Sequence, residues 1–336
     1  MTNAPTPLAF PVTERHVPGG NAASYVALAT LAAILVSVAS PAAGLVAGIL
    51  FTLVLGNPLS AWSPAVTKWL LQACVVLLGF GMDLPAVLRL GLDGSVFAAA
   101  TIGVTLAAGW WLGRRLRLAP RVSLLVSAGT AICGGSAIAA VSSVIGATEA
   151  EIAVSMGIIF LLNAVALYAF PLAGHLLHLS QGQFGLWAGV AIHDISSVVG
   201  AGLSYGPAAL QTAVAVKLSR SLWIVPLTLA IAYKFGSRPA GVRRPGGAWR
   251  TAPWFIGAFL IASLVSSSVP AVASLAPEIS GVARRGMVLV LFLVGTSLSL
   301  PALRVVGWRT AAAGGILWLI GSFGSLAAIL GLGLAP

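Results

Sequence analysis

Charge is what this sequence has least of. Only 7% of its 336 residues are Asp, Glu, Lys or Arg, against about 25% in a soluble domain, and that excludes an ordinary water-soluble fold. Acidic residues are scarcer still: seven stand against eighteen basic ones, for a net charge of +11. The two cysteines, Cys74 and Cys133, both lie inside apolar runs, so neither a disulfide framework nor a metal cluster follows from them. The first 21 residues are polar and lack the apolar core of a signal peptide. No Walker-type phosphate loop occurs, so nothing implies ATP hydrolysis, and no cofactor is expected.

What remains is apolar. Hydrophobic residues make up 59% of the chain, at a mean hydropathy of +1.02. Strand-type alternation is absent and the apolar runs are long, which predicts an all-α integral membrane protein. On a ruler of about 20 residues per span, runs fall near 22–40, 42–56, 64–82, 93–115, 120–146, 149–175, 182–203, 207–233, 252–268, 282–300 and 307–333. That is about eleven transmembrane helices. Residues 1–21 are expected to be a cytoplasmic N-terminal tail and 22–336 a single polytopic transmembrane domain.

Most basic residues fall between the runs. Arg114, Arg115, Arg117 and Arg121 form one cluster; Lys234, Arg238, Arg243, Arg244 and Arg250 form another. The positive-inside rule places both in the cytoplasm, with the N-terminus inside and the C-terminus outside a multi-pass inner membrane protein. It also accounts for the net charge without a nucleic-acid partner. Arg89 and the pair Arg284-Arg285 break the pattern.

A skeleton of Gly, Leu-Pro-Ala and Gly recurs at 79–91 and 295–307, in spans of opposite direction. Inverted repeats of this kind are common in secondary transporters. A second echo pairs Ser142-Ser-Val-Ile-Gly-Ala147 with Ser196-Ser-Val-Val-Gly-Ala201 and does not fit the same repeat.

Three stretches carry chemistry. His193, Asp194, Ser196 and Ser197 sit within Ala191–Ala201, a run otherwise fit for lipid. A carboxylate at the bilayer centre costs at least about 2.5–3.5 kcal/mol, so it marks an ion or substrate site, or else a staple between helices. His193 titrates near neutrality in its ordinary state and is read with Asp194 as the ion-coupling pair; a neutral core histidine is the plain alternative. The fifth span holds Gly129, Thr130, Cys133, Gly134, Gly135 and Ser136, a density of glycine and hydroxyl that predicts a helix break. Unwound backbone at that depth must line a cavity or be buried in protein, and a half-helix starting near Ser136 would aim free N–H groups at an anion. A close-packing glycine face competes with that reading. In the eighth span Lys217 and Arg220 share a helix face near mid-depth. With Asp194 they leave a local charge of +1, which suits a small anion, unless one of them only pairs with Asp194. Asn163, mid-way along the sixth span, is placed to add a hydrogen bond or to pack.

Gly129–Ala140, Trp187–Ala201 and Lys217-Leu-x-Arg220, taken together, resemble the YeiH-like membrane proteins, a family named for sulfate export. The likeness runs from about residue 25 onward; Ile195 and Ser143 depart from it where threonine and proline are expected. It implies kinship with the cation/proton antiporter and bile-acid-symporter superfamily, and hence inverted repeats with discontinuous helices.

The resulting expectation is a secondary-active transporter of a small anion, sulfate, sulfite or sulfonate-like, coupled to protons or sodium. Substrate contacts would come from Gly129, Thr130, Cys133, Gly134, Gly135, Ser136, Ser196, Ser197, Lys217 and Arg220. No catalytic residue and no metal site is expected. Its partners would be the anion, the coupling ion, the lipid bilayer and, in a homodimer, a second copy. The rivals are a cation/proton antiporter using Asp194 and, more remotely, an intramembrane enzyme using Cys133, Ser136 or His193.

Overall fold

The computed structural model describes residues 40–55, 63–234, 254–297 and 306–334. The expected N-terminal tail, the first span, the basic loop beyond Lys234 and most of the second Leu-Pro-Ala copy lie outside these. The described residues form helices throughout: α1 (Pro41–Leu55), α2 (Ser63–Gly79), α3 (Leu84–Arg115), α4 (Pro120–Ala131), α5 (Gly135–Ile145), α6 (Glu149–Leu176), α7 (Gln181–Ala191), α8 (Ile195–Tyr205), α9 (Pro207–Leu222), α10 (Ile224–Lys234), α11 (Trp254–Ser268), α12 (Pro270–Ser297) and α13 (Trp308–Gly331). α6, the combined α9–α10 rod, α12 and α13 are each long and apolar enough to cross a membrane.

Most expected spans coincide with helices, but two boundaries shift for local reasons. α3 starts at Leu84 because Asp83 caps it, accepting from the Ala86 N–H, with Pro85 in its first turn. α12 starts at Pro270 and runs through Glu278, Arg284 and Arg285. Those charges lower hydropathy without lowering helix propensity.

The larger correction concerns residues 120–145 and 181–205. Both runs are interrupted where expected, at 132–134 and 192–194, yet neither continues onward. Each folds back on itself. Phe184 and Tyr205 stack with ring centroids 3.8 Å apart, whereas a straight helix would separate them by about 30 Å. Tyr205 Oη donates to the Leu179 carbonyl at 2.7 Å, and Gln181 Oε1 accepts from the Ala208 N–H at 2.9 Å. In the first run Arg121 approaches Glu151 to 3.9 Å, and Gly129 lies against Ile138. α4–α5 and α7–α8 are therefore two helical hairpins with arms of 11 or 12 residues, about 17 Å each.

The hairpins belong to a repeat that the sequence echoes do not reveal. A long helix, α3, ends in a left-handed residue, Arg117 (φ 54°), and leads into the first hairpin. A second long helix, α6, ends in a left-handed residue, His178 (φ 51°), and leads into the other. Capping boxes close both mouths: Thr148 with Glu151 starts α6, and Ser180 with Gln183 starts α7, each worth about 1 kcal/mol. α6 spans 28 residues, about 42 Å, between the two mouths. The hairpins thus enter from opposite ends of the molecule, and their tips reach its middle. The echo at 142–147 and 196–201 falls at the end of one arm and the start of another, so it marks no structural equivalence.

Two fewer crossings leave the parity of the basic clusters unchanged: α6 and α9–α10 still separate Arg121 from Lys234 by two passages. Elsewhere, α12 packs on α1 and α2, and α11 on α2. The α1–α12 contact is backbone-close, since a side chain at Gly48 would strike the Phe292 carbonyl and one at Gly295 the Leu45 carbonyl.

Candidate functional site

The two tips meet at α9. This helix lies against both arms of the second hairpin and against α3, which brings Lys217 and Arg220 between the breaks. Both are 1% exposed, so each must satisfy its charge internally. The Lys217 ammonium donates to the Ile132 carbonyl at 3.0 Å and to the Ile192 carbonyl at 2.5 Å. One side chain therefore bonds the tips of both hairpins. Arg220 donates to the Ala131 carbonyl and, at 2.6 Å, to Thr101 Oγ1 of α3. The carbonyls at a helix C-terminus carry partial negative charge and lack intrahelical partners. Lys217 and Arg220 supply both the charge and the donors at the broken ends of α4 and α7.

The opposite pole of the second hairpin is served by Asp194. As N-cap of α8 it accepts from the Ser197 N–H at 2.5 Å and from Ser196 Oγ at 3.1 Å. Its other oxygen accepts from Asn163 Nδ2 of α6 at 3.1 Å, while Asn163 Oδ1 accepts from the His193 N–H at 3.0 Å. Asp194 thus makes no ion pair with Lys217 or Arg220; Arg121–Glu151 is the one salt bridge among the described residues.

The corresponding pole of the first hairpin has no such acid. The N-cap of α5 is Gly134, whose φ of 66° favours glycine and which offers no capping side chain. The buried Cys133 thiol lies by the Ala137 N–H, with Ser136, Ser221 and Lys217 around it. A Cβ on Gly134 would stand 3.4 Å from that of His193, so the two tips touch here as well.

Of the expected residues, the structure gathers Thr130, Cys133, Gly134, His193, Asp194, Ser196, Ser197, Lys217 and Arg220 around the tips. Gly129 is an arm-packing glycine against Ile138 and Ile159. Gly135 is half-buried and Ser136 exposed, at the outer edge of the cluster. Thr101 was not anticipated; a lone threonine in an apolar helix carries no signal. The acceptors on Ile132 and Ile192 were equally invisible, because every residue has a carbonyl. Four polar groups around the tips remain buried without a partner: Thr130 Oγ1, both ring nitrogens of His193, and Arg220 Nε.

The family described as Conserved hypothetical protein 698 matches residues 22–314, a stretch that contains both hairpins and α9. The chain belongs to the UPF0324 membrane-protein family. It is 41% identical over 292 residues to a UPF0324 membrane protein of Bacteroides thetaiotaomicron, covering 86% of each chain. A UPF0324 protein of Bdellovibrio bacteriovorus is 44% identical, with 87% of this chain and 89% of that one aligned. One from Porphyromonas gingivalis is also 44% identical, at 87% of each. No solved structure matches. The resemblance to YeiH-like proteins is thus a family membership, and the chain is an integral membrane protein.

Proposed function

We propose that this UPF0324 protein is a secondary-active transporter of a small anion, of the sulfate, sulfite or sulfonate class, driven by a proton or sodium gradient. One observation carries this reading: two hairpins that enter from opposite ends meet at a buried ammonium. Transport requires a site reachable from each side in turn, and binding at mid-depth between inverted repeats meets that need.

The sign of the cargo follows from the local charge. Lys217 and Arg220 outweigh Asp194 by one positive charge, and the uncapped N-terminus of α5 adds about half a charge more. Lys217 and Arg220 act largely through field and tip position, since Lys217 donates to two carbonyls and Arg220 to a carbonyl and the Thr101 hydroxyl, with only Arg220 Nε unpartnered. The basic loops face the cytoplasm of a plasma-membrane protein, with the N-terminus inside, and the protein is not an enzyme. A cation/proton antiporter is the second reading, favoured by the fact that Asp194 is held by uncharged donors and is half-buried, so no protein cation is paired with its carboxylate.

The deciding experiment is uptake of sulfate and sulfite into proteoliposomes, with sodium and proton fluxes recorded in parallel. Anion uptake that disappears in the Lys217→Gln/Arg220→Gln variant supports the proposal. Cation exchange alone, sensitive to Asp194→Asn, supports the second reading.

A further inference from the structure

We propose that the end of the molecule bearing Arg114, Arg115 and Arg309 docks anionic phospholipid of the adjoining leaflet, its phosphates held by guanidiniums laid over tryptophan rings. This surface is separate from the hairpin tips and does not depend on what they carry.

Helix register builds the pairs. Trp110 and Trp111 stand one turn before Arg114 and Arg115 at the end of α3, and residues four apart share a helix face. The Arg114 guanidinium lies 4.1 Å from the centroid of the Trp110 ring, and that of Arg115 lies 5.6 Å from Trp111. At the start of α13 the Arg309 guanidinium lies 5.6 Å from the Trp308 ring. The three rings are 59%, 54% and 71% exposed. Leu112 of α3 shares an apolar cluster with Ala313 and Leu317 of α13, so the end of one helix and the start of the other lie together.

Two more exposed indoles point to the same level. Trp69 and Trp254 pack with centroids 6.0 Å apart. The far end of α11 is tied to the start of α3, where the Leu84 N–H donates to Ser267 Oγ at 3.2 Å, so Trp254 lies toward the end of α3 that carries the arginines. All five tryptophans with exposed rings among the described residues therefore gather toward one end. Tryptophan in that arrangement marks the headgroup level of a bilayer.

The occupant follows from charge. Arg114, Arg115, Arg117, Arg121 and Arg309 share this end with two acids, Glu149 and Glu151, and Glu151 is taken by Arg121 in the one salt bridge among the described residues. The three stacked guanidiniums therefore pair with no acid. The rings look outward from helices of a membrane protein, so lipid covers them. Acyl chains satisfy an indole but not a guanidinium. An arginine lying on a ring keeps its N–H edge free, and that edge matches two oxygens of a phosphodiester. A zwitterionic headgroup brings an ammonium to an arginine-rich surface; a headgroup whose only charge is its phosphate does not.

The test counts lipids retained by the full chain after incubation with equal phosphatidylglycerol and phosphatidylcholine, read by native mass spectrometry. Phosphatidylglycerol should be favoured about a hundredfold, at roughly fivefold for each of three arginines. Arg114→Gln/Arg115→Gln/Arg309→Gln should cut that ratio at least about tenfold. Trp110→Leu/Trp111→Leu/Trp308→Leu should lower it severalfold with the charge intact. Arg89→Gln/Arg284→Gln, near the opposite end of α3 where Arg284 and Asp83 line one cavity, should leave it unchanged. Equal retention of the two lipids by the native protein overturns the proposal and needs no variant to fold. An equal loss in the Arg89→Gln/Arg284→Gln variant would show net charge acting without a site, and overturns it too. Displacement of the lipid by millimolar glycerol 3-phosphate would make this a site for soluble phosphate and not a membrane contact. None of these outcomes touches anion uptake, so the transporter reading stands or falls by its own experiment.

Discussion

Asn163 Nδ2 stands 3.1 Å from Asp194 Oδ2, tying the middle of α6 to the tip of the second hairpin. The same amide accepts from the His193 N–H through its oxygen. A single side chain on a long helix thus fixes both residues that the sequence marks as ion-coupling.

Asn163→Ala should therefore lower stability. It leaves a buried backbone N–H and one carboxylate oxygen without partners, at about 1–3 kcal/mol each. The expected result is a lower melting temperature in detergent, with faster amide exchange at 192–197. Unchanged melting and exchange would show that the tip is held from elsewhere.

Lys217→Met should loosen both hairpins at once. The substitution keeps the volume but strips the donor from the Ile132 and Ile192 carbonyls, again about 1–3 kcal/mol apiece. Hydrogen exchange should rise at 129–136 and at 190–197 together. A rise confined to one tip would contradict a shared ammonium.

Asp194→Asn should fold. Asn is as good an N-cap as Asp, and no cation is left unpaired, because Asp194 bonds to an amide, a hydroxyl and a backbone N–H. The Asn amide nitrogen replaces the oxygen that accepts from Asn163 Nδ2, so the melting temperature should drop, by about 1–3 kcal/mol of stability, while expression is kept and gradient-dependent transport is lost. Failure to accumulate would point instead to a buried ion pair, whose disruption costs about 3–5 kcal/mol.

The hairpins make a topological prediction as well. Ala119 and Ala150 are exposed at the mouth of the first hairpin, Leu177 and Ala208 at the mouth of the second. Single cysteines at the first two should react with an impermeant thiol reagent from one side of the membrane, and those at the last two from the other. Were 120–145 a crossing helix, Ala119→Cys and Ala150→Cys would label from opposite sides.

Arg220→Lys should weaken anion uptake by about tenfold with the charge preserved. The guanidinium reaches the Ala131 carbonyl and Thr101 with separate nitrogens, a fork that a lone ammonium does not reproduce. Native uptake in this variant would mean that charge alone suffices at this position.

The membrane class, most span positions, the two helix breaks and the deep charges at Asp194, Lys217 and Arg220 were all legible in the sequence. These are local properties: an apolar run, a cluster of glycines, or a charge in hydrocarbon announces itself wherever the chain goes next. What the tertiary structure alone decided is the direction taken after each break. A run of about 25 apolar residues interrupted at its centre has the same composition whether it crosses or returns, since each arm faces the same low-dielectric surroundings either way. The return is set by contacts between residues distant in sequence, Phe184 with Tyr205 and Arg121 with Glu151. The partners of Lys217 were hidden for a related reason. They are backbone carbonyls, identical in every residue, and only the meeting of two folded-back tips brings Ile132 and Ile192 to the same ammonium.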